Sequence, residues 1–163
     1  MASPLYRVRQ FVRGFRPALA ADDIALVKST LTEPQRALFM AMEPRDRRHS
    51  VDVARWLLAR TPPSADLLVA ALLHDVGKGG LRVCDRVAFV LLGPVRLRGR
   101  LASPEAGRFR QALWRLQHHA ALGAARLDGL AGERAVWLVA RHTDASDGGD
   151  RELRWLMAAD SAC

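Results

Sequence analysis

An all-α bundle is predicted by three features of the 163-residue chain. Nearly every segment spaces its apolar residues three and four apart, and no run alternates as a strand would. Turn-rich stretches such as DGLAG and DASDGGD separate the periodic segments. At this length one domain is the simplest reading, able to bury a core without disulfides or a structural metal. A basic lead-in and short helices are expected over residues 1–43 and the helical core over residues 44–163.

The elements follow from their punctuation. Asp22 or Asp23 is placed to cap a helix through about Leu31, and Thr32, followed by Glu33 and Pro34, starts another to about Glu43. Pro44 opens a helix through Arg60, which Pro62 and Pro63 stop. Ser64 caps the next, expected to end near the glycines of VGKGG. Further helices are expected at Arg82 to Leu92, Pro104 to Leu127, Gly132 to Thr143 and Asp150 to the end.

Half the chain is apolar and about a quarter charged, the composition of a globular domain. The net charge of +8 comes almost wholly from arginine, since Lys28 and Lys78 are the only lysines. Such a balance suits an anionic partner: a phosphate ester, nucleic acid or an acidic membrane surface. No recognised nucleic-acid motif accompanies it. The stretch LYRVRQFVRGFRPAL, residues 5–19, interleaves arginines with an apolar stripe and offers a weak contact to an anionic membrane surface or to its own domain. Cys84 and Cys163 make neither a C-x-x-C nor a disulfide framework, which fits a reducing cytoplasm. No signal peptide is expected, and the longest apolar run, Val87 to Leu92, is too short to span a bilayer.

Four predicted helices carry a histidine or aspartate on their apolar stripe. His49 is followed by Val53, Trp56 and Leu57; His74 follows Leu67 and Ala71; Asp75 follows Leu68, Ala71 and Leu72. His142 follows Ala135, Leu138 and Val139, and Asp160 follows Leu153, Leu156 and Met157. A buried carboxylate without a partner is costly. Taken singly, each residue is explained by a carbonyl partner or a helix cap. Taken together, a shared divalent metal satisfies them all, because imidazole and carboxylate suit manganese, iron, cobalt or zinc, with magnesium also admissible.

The order of these residues resembles the HD superfamily of metal-dependent phosphohydrolases: His49 early on one helix, His74-Asp75 inside LLHDVGK, and Asp160 inside LMAADSA. The resemblance covers roughly Asp46 to the C-terminus. It implies a helical bundle in which His49, His74, Asp75 and Asp160 bind one metal. HHAALGA places His119 four residues before Gly123, and VARHTD carries His142, as in the two-metal branches. A second ion is thereby implied, held by His119 and His142 with Asp75 bridging. His118 reads as either a supporting or a solvent-exposed residue. No Gly-Tyr-Pro follows the site, and Lys78 and Gly79 stand where some relatives carry paired acids.

The implied activity is hydrolysis of a phosphoester or phosphoanhydride in a phosphorylated small molecule or nucleotide. Asp75 and Lys78 are the candidate catalytic residues, Lys78 by contacting the substrate phosphate; Arg48 and Arg141 are weaker candidates for that contact. Two alternatives stay open: a di-iron oxygenase with the same ligands, and a regulatory module without catalysis.

Overall fold

The computed structural model describes residues 18–80, 85, 102–105 and 107–163. It is all-α. In chain order the helices are α1 (Ala21–Thr30), α2 (Glu33–Met40), α3 (Pro44–Leu58), α4 (Ala65–Leu73), a single 3₁₀ turn (Val76–Lys78), α5 (Arg108–Leu127), α6 (Glu133–Arg141) and α7 (Arg151–Ala162). The expected helix at Arg82 to Leu92, apart from the helical and buried Asp85, and residues 5–17 of the amphipathic stretch lie outside the described residues. No described helix is long and apolar enough to cross a membrane.

Several boundaries match their chemistry. Ser64 Oγ accepts from the Leu67 amide at the start of α4, Asp150 Oδ1 accepts from Leu153 N at the start of α7, and Pro44 occupies the first turn of α3. Others shift. Ala20, not an aspartate, is the N-cap of α1; Asp23, three residues on, reaches back to accept from the Ala20 amide at 2.9 Å. Asp23 is itself buried and holds Arg48 and Arg55 of α3 at 2.5 and 2.7 Å, so the same carboxylate that starts α1 fastens it to α3. Burial alone would raise the Asp23 carboxyl, but the Ala20 amide and the two guanidiniums outweigh it and hold it below the usual range. The helix expected from Pro104 starts at Arg108, with Gly107 as its N-cap.

The most consequential difference is at the end of α4. The helix stops at Leu73 instead of running to the glycines; His74 is its C-cap, and Asp75, at φ −94° and ψ 1°, turns the chain into the 3₁₀ turn. The reason is a backbone crossing. A Cβ on Gly77 would lie 2.0 Å from the His119 carbonyl oxygen and 2.6 Å from the Gly123 amide, so only glycine lets this turn lie on α5. Gly123 gives the matching approach from α5, with Gly77 N and Val76 Cγ1 each 3.4 Å from its own Cβ position. Arg126, on the same helix, donates to the Val76 carbonyl at 2.7 Å and fastens the turn from its far side.

The core is continuous from α1 to α7. Phe39, Leu57, Leu67, Leu72, Leu73, Leu138, Leu153 and Leu156 are fully or almost fully buried. Each such side chain contributes about 1.5–3 kcal/mol when withdrawn from water. Gln35 of α2 donates to the Leu130 carbonyl at 2.8 Å, tying the first helices to the α5–α6 connection.

Gly77→Ala should be destabilising by about 3 kcal/mol, the upper range for overpacking, because both obstructing groups are backbone. Thermal and urea denaturation measure this directly; an unchanged midpoint would mean that the crossing is not tight.

Candidate metal centre

The helix ends create the site. Because α4 terminates at Leu73 and α6 at Arg141, the carbonyls of Ala71 and Val139 lack their helical amide partners. The C-cap histidines take them: His74 Nδ1 lies 2.9 Å from Ala71 O, and His142 Nδ1 lies 2.7 Å from Val139 O. His119, inside α5, makes the same contact to Leu116 O at 2.9 Å. Carbonyls only accept, so these contacts put a ring proton on Nδ1 and aim each Nε2 away from its own helix.

Those Nε2 atoms converge. His119 Nε2 is 3.2 Å from His142 Nε2, and the His74 ring lies 5.0 Å from that of His142 and 5.3 Å from that of His49. His74 Nε2 is fully buried without a hydrogen-bond partner. Around it stand Asp75 Oδ1 and Asp160 Oδ1, each at 3.5 Å, beyond a good hydrogen bond. Asp75 Oδ1 is also 3.6 Å from His119 Nε2, and His49 Nε2 is 2.8 Å from Asp160 Oδ1. All six histidines and aspartates expected at the site are therefore in one cluster, although only His74, Asp75 and His142 are fully buried.

Atoms that share an ion at about 2.0–2.2 Å lie ~3–4 Å apart. The cluster has that spacing. Three sets of three, with ligand atoms all within 4.8 Å of one another, could each hold an ion: His49, His74 and Asp75; His74, His142 and Asp160; and Asp75, His119 and His142. The first and third meet at Asp75. A buried Nε2 with no hydrogen-bond partner, and two imidazole Nε2 atoms 3.2 Å apart, fit a cation between them.

The electrostatics agree. Burial works to raise the Asp75 carboxyl, but Lys78 foremost, then His74, His49 and His119, hold it well below the usual carboxylate range. Asp160 is likewise pushed up by burial and brought far down by His49 and His74. Burial, followed by the neighbouring His74 and His119, drives His142 down to about 3, and burial followed by Lys78 lowers His119. Both rings are thus neutral, the form that ligates a metal. His74 goes the other way: despite complete burial, Asp75 and Asp160 raise it to about 9. Without a metal, a proton on His74 balances the two carboxylates.

Lys78 Nζ sits 2.6 Å from Asp75 Oδ2, so its ammonium is fixed on the carboxylate instead of extending into solvent. His118 is exposed and packs beside Trp114. Arg48 turns to Asp23 and Asp52, and Arg141 to Asp144, so the structure brings neither to the cluster. Arg115 was not anticipated from the sequence. It lies one turn before His119 on α5, donates to Gly80 O at 3.4 Å beside Lys78, and has a buried Nε without a partner. Its spacing, four residues ahead of a candidate ligand, was the signal.

A family model, the HD domain, matches residues 47–162, most of the chain. The chain belongs to the HD domain family. Among curated proteins and among solved structures, no match is found. In HD terms, the paired His74 and Asp75 are the C-cap and the turn of α4, and the glycine four residues past His119 is the one that receives the HD turn.

The HD site in its metal-free form should have opposing pH limbs. His142, lowered to about 3 from an ordinary 6.5, contributes stability that is present above 6.5 and lost as the pH falls toward 3. His74, raised to about 9 from 6.5, contributes stability that is full below 6.5 and lost as the pH rises through 9. Melting temperature against pH in chelator should fall on both sides of the neutral region, and manganese should abolish the alkaline fall with release of the His74 proton. An alkaline limb identical with and without metal would contradict this.

Proposed function

We propose that this HD domain hydrolyses a phosphoester or phosphoanhydride in a small, nucleotide-like molecule, with two divalent ions held by His49, His74, Asp75, His119, His142 and Asp160. One observation carries the reading: Asp75 Oδ1 lies 3.5 Å from His74 Nε2 and 3.6 Å from His119 Nε2, a carboxylate oxygen equidistant between two imidazole groups. Ions bound there supply Lewis acidity to phosphoryl oxygens and lower the pKa of water to about 7.

The chain's own residues do the rest. His74, His119 and His142 are oriented by their carbonyl partners, so their Nε2 atoms are aimed before any ion arrives, and His74 has only to release a proton to become a ligand. Lys78 holds the second oxygen of Asp75, which keeps Oδ1 turned to the histidines. An ammonium has three donors, and one is used on Asp75; the other two are offered to a phosphate. Arg115, whose guanidinium lies against Gly79 and Gly80, adds a second positive charge close to the turn that carries Lys78. An anionic substrate also suits the net charge of +8.

The test is turnover of p-nitrophenyl phosphate, its bis ester and a nucleotide panel by the manganese-loaded chain without oxygen. Hydrolysis is expected, and Asp75→Asn should abolish it. Lys78→Met should reduce manganese affinity or kcat about 10–100-fold, as loss of a group that orients a metal ligand does. Strict dependence on oxygen would move the site to oxygenase chemistry, and full activity in Asp75→Asn would end the hydrolytic reading.

A further inference from the structure

A cavity that shares no lining residue with the metal centre lies between α1, α2 and the start of α3. Its volume is about 600 Å³, within the ~300–1,000 Å³ that accommodates a small-molecule ligand. Leu19, Ile24 and Met40 supply an apolar wall, with Ile24 and Met40 44% and 58% exposed.

The charged residues around it are Lys28, Arg36, Arg47 and Glu33, three cations and one anion. None of the three cations is paired with a carboxylate among the described residues. Arg36 donates to the Leu31 carbonyl, and among the described residues Arg47 Nη1 lies 3.6 Å from the Met40 thioether, with its Nε buried and unpartnered. The next residue, Arg48, shows the contrast: it is held by two carboxylates, Asp23 and Asp52. A guanidinium left on a thioether at the edge of an apolar cavity is a site for an anionic group.

We propose that this cavity binds a single-chain amphiphile, its alkyl chain against Leu19, Ile24 and Met40 and its anionic head on Arg47 and Lys28. Charge selects this occupant over the chain's own N-terminal stretch. Residues 1–17 carry Arg7, Arg9, Arg13 and Arg16 and no acid, so they would bring like charge to a cationic rim. A concave site of this volume also holds one ligand chain, where a flat patch would be needed to lie on a bilayer.

The probe is dodecanoate below its micelle concentration, titrated calorimetrically into the metal-loaded full chain, with dodecyl phosphate and dodecanol alongside. Saturable binding of one equivalent is expected for both anions, at least tenfold tighter than for dodecanol and not displaced by inorganic phosphate. Ala37→Trp, which fills the cavity from an exposed position, and Arg47→Glu should each weaken it at least tenfold while metal content stays unchanged. Absence of saturable binding, affinity insensitive to both variants, equal affinity for dodecanol, or attachment only to anionic vesicles would each overturn the proposal.

Discussion

Four imidazoles and two carboxylates are gathered around the buried His74 and Asp75, and a shared cation satisfies them together. In the metal-free chain, the proton on His74 and the ammonium of Lys78 meet part of that demand. They leave His119 and His142 as two neutral acceptors 3.2 Å apart. A buried group without its partner is expensive, so the arrangement is sustained by the packing around it until a cation binds. The apolar stripes of α3, α4, α6 and α7 supply that packing.

The helix ends convert packing into orientation. Stopping α4 at Leu73 frees the Ala71 carbonyl, and stopping α6 at Arg141 frees that of Val139; each then fixes the ring of the histidine that follows. The turn after Asp75 is made possible by Gly77 and Gly123, which let two backbones touch. That contact sets the distance between Asp75 and His119, and so decides whether the two halves of the cluster share a carboxylate. Two glycines that carry no functional group thereby control its geometry.

Much of this was legible in the sequence. Helical period located the bundle, Ser64, Asp150 and Pro44 marked real helix starts, and the apolar stripes placed His49, His74, His142 and Asp160 on inward faces. His119 came from its resemblance to the two-metal HD branches, not from its stripe. What stayed hidden depended on contacts between distant segments. The premature end of α4 follows from the Gly77 crossing, which involves residues more than forty apart in the chain. Asp23 as a hub for two arginines, Lys78 folded back on Asp75, and Arg115 beside Gly80 are likewise tertiary facts. Arg48 and Arg141, attractive because they adjoin candidate ligands, point elsewhere, as neighbours on a helix do.

The cavity beneath α1 and α2 lies mostly ahead of the HD match and draws on different residues, so its occupancy bears on ligand binding and not on the metal cluster. The cluster itself turns on whether Asp75 is shared between two ions. Elemental analysis of the chain purified without chelator, compared with His119→Ala, measures this most directly. A shared carboxylate requires about two transition-metal atoms per chain in the unaltered protein and about one in the variant. One atom per chain in both proteins, or none after supply of manganese and iron, would contradict a two-ion centre.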